Sequence, residues 1–150
     1  MIHSRYIELR NVAFSYSFQT DDQTKSNVKV LITDWHRENG IISLIITDDG
    51  SVSLHFSNGT SILGSGKFPY VTSAAGKLMQ LANQYYHEGK KVSSNTLPEL
   101  GEIQFYLRTA DALHWLPGGS DPSKVSSSVI ELFKEMNQVI SCIRETNTTS

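Results

Sequence analysis

Ser53, His55 and Ser57 alternate along one short stretch, and their types could do chemistry. A serine beside a histidine can act as nucleophile and general base once hydroxyl and imidazole come within hydrogen-bond reach. On a strand, residues i and i+2 share a face, but they stand roughly 6.5–7 Å apart. That spacing predicts no direct Ser–His pair without help from another segment, and it predicts a polar surface face instead. His55 is therefore kept as a ligand-contacting candidate, at the mouth of a pocket between sheet and helices. Gly64-Ser65-Gly66-Lys67 is the second candidate, because a glycine-rich turn ending in lysine can cradle an anion. A phosphate loop needs Gly five residues before its Gly-Lys pair and Ser or Thr after it. Ser61 and Phe68 stand there, and Pro69 stands where a dinucleotide fingerprint needs its last Gly. Gly64, Gly66 and Lys67 thus remain ligand-binding candidates without a motif, against the plainer reading of a flexible strand exit.

The other reactive side chains assemble nothing. None of the five histidines lies in HExxH or in Cys/His zinc spacing. Asp34 and His36 share a strand face, but two ligands make no metal site, and Asp111 with His114 beside a turn reads the same way. Asp48-Asp49-Gly50 is turn chemistry, with no EF-hand series following. There is no G-x-S-x-G elbow. Cys142, the lone cysteine, sits beside an apolar helical stripe and reads as a small buried hydrophobe. No catalytic residue, metal or cofactor is expected, and the balance leans away from an enzyme. Tyr85, Tyr86, Tyr106 and Trp115 are the amphipathic aromatics that would serve an interface.

The elements that must position these residues follow from periodicity. The stretch 6–18 carries both helical spacing (Tyr6, Leu9, Ala13, Tyr16) and strand spacing (Val12, Phe14, Tyr16, Phe18), and is read as a short helix passing into extended chain. Residues 20–27 are too polar to pack and read as a loop. Val28 to His36 is a strand, with Val30, Ile32 and Asp34 on one face and Leu31 and Trp35 on the other. Ile41 to Ile46 is apolar on both faces, as in a central strand covered on both sides. If Asp48 pairs with Ser51, Ile45 lies opposite Leu54 and Leu44 opposite His55. Across Asn58-Gly59, Leu54 then falls opposite Leu63. Val71 to Glu88 is an amphipathic helix capped by Thr72 or Ser73. Glu102 to Thr109 and Ala112 to Leu116 form a hairpin, with Gln104, Tyr106 and Arg108 facing out and Pro117-Gly118-Gly119 ending it. Ser128-x-x-Glu131 fits a capping box for a last helix reaching about Arg144, before a polar tail at 146–150.

The expected fold class is α+β: one domain over residues 1–150. It holds a mostly antiparallel sheet of five to six strands, in the order helix(?)–βββ(β)–α–ββ–α, under two amphipathic helices. The element order is roadblock- or profilin-like, an analogy without functional weight. The 150 residues suffice to bury a core, and 39% are apolar. A net charge of −2 with scattered Lys and Arg argues against nucleic acid as a partner. No apolar run approaches a membrane span, and a single cysteine suits a reducing compartment, so a cytoplasmic protein is expected.

Ser53-Leu54-His55-Phe56-Ser57-Asn58-Gly59 followed by Ile62-Leu63-Gly64-Ser65-Gly66 resembles the meander of a group of small bacterial proteins. Their shared pattern is S-L-x-F-S-N-G-x-x-I-x-G-x-G. The likeness extends to Gly101–Tyr106, to Leu132-Phe133 and to Val139–Glu145, about half of the chain. Where His55 stands the group typically has Tyr, which argues against His55 as a catalytic base. The group also typically has extra glycines where this chain has Thr60 and Ser61. The resemblance implies a bacterial cytoplasmic protein and supplies no reaction; some small proteins of this kind are immunity proteins. Two classes of function follow. The first is a non-catalytic interaction module, immunity-like or regulatory, binding a protein partner or itself through a sheet edge or helix face. The second is a small-ligand sensor or enzyme with a pocket between sheet and helices.

Overall fold

The computed structural model describes residues 2–16 and 28–148. Helix α1 (Ser4–Ser15) precedes strands β1 (Val28–Arg37), β2 (Gly40–Thr47), β3 (Val52–Phe56) and β4 (Ser61–Ile62). Helix α2 (Pro69–Tyr85) follows, then β5 (Lys90–Val92), β6 (Ile103–Thr109), β7 (Leu113–Gly119) and helix α3 (Ser127–Thr148). The seven strands form one antiparallel sheet in the order β4-β3-β2-β1-β6-β7-β5. The expected α+β class holds, with a larger sheet and three helices. The extra strand is β5, whose Lys90 and Lys91 look like the polar end of a helix in sequence. The 20–27 loop and the extended chain expected toward Phe18 lie outside the described residues, as do the last two residues of the expected tail.

Helices α2 and α3 pack together over one sheet face. Val71, Ala75, Leu78 and Ala82 of α2 meet Leu132, Met136, Val139 and Ile143 of α3 above Leu31, Leu44, Leu54, Phe105 and Leu107. Each large apolar side chain fully buried there contributes ~1.5–3 kcal/mol before chain entropy is counted. The first turn of α2 differs from expectation. Pro69 opens it after Phe68, no side chain caps it, and Thr72 donates instead to the Gly66 carbonyl at 2.6 Å. At α3 the start is two-part. Ser126 Oγ accepts the Val129 N–H at 3.4 Å, whereas Ser128 of the expected capping box donates to Glu88 at 2.6 Å. The helix also runs past Arg144 to Thr148, through part of the expected tail. Pro117-Gly118-Gly119 does not end β7 but stays paired with β6 across an irregularity in register.

Both turns of the meander differ from the two-residue form that Asp-Gly and Asn-Gly suggest. Thr47 N–H donates to the Ser51 carbonyl around a three-residue loop, with Gly50 at φ 94°. Phe56 N–H donates to the Thr60 carbonyl in the same way, with Gly59 at φ 99°. A three-residue hairpin loop places a glycine in the left-handed region at its end. Each loop shifts the expected register by one residue. Leu44 lies opposite Leu54, Ser43 opposite His55, Leu54 opposite Ile62 and His55 opposite Ser61. Apolar residues then meet apolar ones on the helix-pair face, while on the other His55 lies between Ser43 and Ser61. Among the described residues, no helix is long and apolar enough to cross a membrane.

Candidate functional site

The corrected register lays a polar row across five strands on the α1 face. Gln104 of β6, Asp34 of β1, Ser43 of β2, His55 of β3 and Ser61 of β4 are successive cross-strand partners. The row is not a solvated face: Gln104, Asp34, Ser43 and His55 are all buried. Helix α1 lies over β1 and β3, and it carries no broad apolar stripe. Its inward residues are Tyr6, Arg10 and Ala13, at i, i+4 and i+7.

Asp34 is the hub. Arg10 donates through Nε to Oδ1 at 3.1 Å and through a terminal nitrogen to Oδ2 at 2.6 Å, the bidentate geometry that suits guanidinium and carboxylate. Ser43 donates to Oδ1 at 2.6 Å, and Gln104 to Oδ2 at 3.0 Å. Ser43 is paired in turn with the Tyr6 hydroxyl at 2.6 Å. Arg10 also donates to the Asn95 carbonyl at 2.7 Å, while Gln104 and Tyr106 both donate to that of Thr96 at 2.7 Å. The network thus holds both α1 and the 93–102 loop to the sheet. Burial alone would lower the Arg10 pKa; its hydrogen bonds to Asp34, together with the charge of Asp34 and the nearby Tyr6 and Tyr106 phenols, outweigh that and raise it. Burial, then the Asp34 charge, push the Tyr6 phenol up, so both groups keep their protons.

His55 stands one strand further along. Its Nε2 is 2.8 Å from Ser53 Oγ and its Nδ1 is 2.9 Å from Ser61 Oγ. The expectation that Ser53 and His55 cannot meet on one strand is overturned, because the side chains lean together along the strand. The expectation of an exposed face fails as well, since His55 is 3% exposed. Burial lowers its pKa, so the ring is neutral at pH 7 and uses one nitrogen as donor and one as acceptor. A hydroxyl, Ser61, occupies the place a carboxylate takes in a catalytic triad. It can fix the tautomer but offers no charge to stabilise an imidazolium. This arrangement satisfies a buried histidine.

Gly64, Gly66 and Lys67 do not join the hydrogen bonds of His55, whose ring partners are Ser53 and Ser61. Gly64 adopts φ 73°, and residues 65–67 form a short 3₁₀ turn before α2. A Cβ on Gly66 would stand 2.2 Å from the Gly50 carbonyl oxygen, so this glycine lets the turn approach the β2–β3 loop. The Lys67 ammonium lies 5.3 Å over the Phe68 ring. The four interface candidates are not free surface aromatics. Tyr85 donates to Glu131, Tyr86 stacks edge-on against His114 at 5.1 Å, and Tyr106 is buried. The half-buried Trp115 donates from Nε1 to Gln104 at 2.9 Å. Among the described residues the most exposed large apolar side chain is Tyr70, at 79%, followed by Leu100 at 64% and by Leu63 and Val12 at 60%. Tyr70 stands just before the helix expected from Val71, and the place opposite Leu54 expected for Leu63 goes to Ile62 in the observed register. A pocket between sheet and helices is present, an apolar cleft of about 290 Å³ lined by Trp35, Ile103, Val129 and Phe133. Neither His55 nor the 64–67 turn lines it. Among the described residues, no group of three His, Cys, Asp or Glu side chains could hold a metal ion. Comparisons with family models, with curated proteins and with solved structures find no match to this chain.

Proposed function

We propose that the protein is a non-catalytic interaction module that docks a protein partner at the corner formed by β4 and the start of α2. One observation carries the reading. Leu63 and Tyr70 are 60% and 79% exposed, beside half-buried Ile62 and Phe68, on the segment that follows the outermost strand. Strand β4 offers only two residues, and among the described residues its outer edge pairs with no other strand of the sheet. Exposed apolar side chains next to an open edge are what an added partner strand uses: backbone hydrogen bonds supply affinity and side-chain pockets supply specificity. The polar side chains best placed for chemistry also favour binding over catalysis, since Asp34 and His55 are consumed by internal partners. An immunity-like or regulatory role in a bacterial cytoplasm is the form that the sequence resemblance suggests. The roadblock- or profilin-like element order adds nothing to it.

The test is recovery of a stoichiometric partner from native lysate, with mass in solution followed by light scattering. The doubly substituted Leu63→Asp, Tyr70→Asp protein should lose the partner or the self-association. Val12→Asp, an equally exposed apolar site on α1, should retain it. Equal recovery by both variants, or a monomer with no partner, rules out this surface.

A further inference from the structure

A second cleft, of about 510 Å³, opens on the α1 face between the β7–β5 edge and the 93–102 loop. Trp115, Tyr106 and Gln104 form its floor, Glu99 and Glu102 line the loop side, and Lys90 lines the strand side. Tyr106, Trp115 and Lys90 are successive cross-strand partners, so all three side chains point the same way. The Trp115 ring is held by its hydrogen bond to Gln104, whose amide group is in turn fixed on Asp34 and the Thr96 carbonyl. The aromatic floor is therefore set before any ligand arrives.

We propose that this cleft binds a small organic cation, an alkylammonium compound whose charged head lies on the Trp115 ring between the Glu99 and Glu102 carboxylates. The molecule already uses this chemistry on its other rings. Arg10 lies 4.8 Å from the Phe14 centroid and 5.6 Å from that of Tyr106, and Arg37 lies 4.8 Å from that of Trp35. Among the described residues no cation lies over Trp115, although indole is the strongest aromatic partner for one. Among the described residues neither carboxylate forms an ion pair; the Glu102 carboxylate accepts the Glu99 backbone N–H at 3.0 Å. Lys90 opposes the charge from one side only, so two anionic groups face one cationic group. The volume suits a ligand of modest size rather than a chain.

The probe is choline, with its uncharged isostere 3,3-dimethyl-1-butanol as control. Binding is read by calorimetry on the full chain and by Trp115 fluorescence in a Trp35→Phe background. Choline should bind in the millimolar range or tighter and weaken as salt is raised, and the neutral isostere should bind several-fold less well. Trp115→Leu should abolish binding. The surface variant Glu99→Gln, Glu102→Gln, which leaves the floor intact, should weaken it several-fold, and Lys90→Ala should strengthen it. N-acetyl-lysine methylamide tests the other source of the same chemistry, a lysine side chain of a peptide. Tighter binding of that probe than of choline overturns the free-cation assignment. Equal binding of choline and its isostere, or loss of binding in Lys90→Ala, overturns the cationic ligand. No heat and no fluorescence change with choline overturns the site.

Discussion

One sheet is covered in two chemically different ways. Under α2 and α3 the cover is apolar and broad, with Leu31, Leu44, Leu54, Phe105 and Leu107 against two amphipathic helices. Under α1 the apolar set is smaller, with Ala13, Val30, Ile32, Ile45 and Tyr106 at its centre, and a hydrogen-bonded network does much of the holding. An apolar face tolerates small shifts, because dispersion and burial have no direction. A buried ionic network does not, because each member left without its partner carries its full desolvation penalty. The two faces should therefore respond differently to mutation.

The largest difference is expected at Asp34. Asp34→Ala leaves Arg10 buried and unpaired and should cost about 3–5 kcal/mol in urea unfolding. Leu132→Ala on the other face removes a fully buried side chain and should cost about 2–5 kcal/mol, the lower end if the helix pair closes over the gap. The double variant Arg10→Met, Asp34→Leu separates the two mechanisms. An apolar replacement of a buried ion pair is often near neutral, so it should restore at least half of the Asp34→Ala loss. Failure to restore it would mean that Ser43 and Gln104 depend on the carboxylate as much as Arg10 does.

A smaller effect is expected from pH. Burial holds the folded-state pKa of His55 below its ordinary value; burial and then Lys91 do the same for His114. The unfolded chain then takes up protons first as pH falls. The contribution is fully present above about pH 6.5 and is lost as pH drops through that value toward the folded-state pKa. Unfolding free energy should decline from pH 7.5 to 5.5, and His55→Gln should flatten part of that decline. An unchanged slope would remove His55 from the account. The smallest effect belongs to Leu63→Asp with Tyr70→Asp. These exposed sites should change stability by no more than about 0.5 kcal/mol each, even where they abolish partner binding.

Much of the apolar face was legible in the sequence, and little of the polar face was. The stripe from Val129 to Ile143 and the alternation in Val52, Leu54 and Phe56 announce their burial directly, since periodicity reports which residues avoid water. Alternation also put Gln104, Tyr106 and His55 on the opposite side of their strands, which is right. It put that side in solvent, which is wrong, because α1 buries polar residues and has no apolar stripe to signal it. Asp34 read only as one half of an insufficient metal pair with His36, because its partners Arg10 and Gln104 are 24 and 70 residues away. The register erred by one at each meander turn because Asp-Gly and Asn-Gly mark a turn without fixing its length. That single-residue error was enough to hide the row through Ser43, His55 and Ser61.

The strand order has a consequence for how the chain folds. Strands β1 to β4 wind as consecutive hairpins, and β6 with β7 form another. Within the described sheet these two locally wound pieces join where β1 meets β6, across a seam whose register includes Asp34 and Gln104, 70 residues apart. Local hairpins close quickly, while a distant pairing must first overcome the entropy of the long intervening chain. The seam is thus the slow junction of assembly, and the buried carboxylate on it checks alignment. Slipped by one residue, the seam would turn Gln104 away from Asp34 and bring an apolar neighbour to the α1 face. Substitutions in the meander loops should then slow folding, while those on the seam should mainly quicken unfolding.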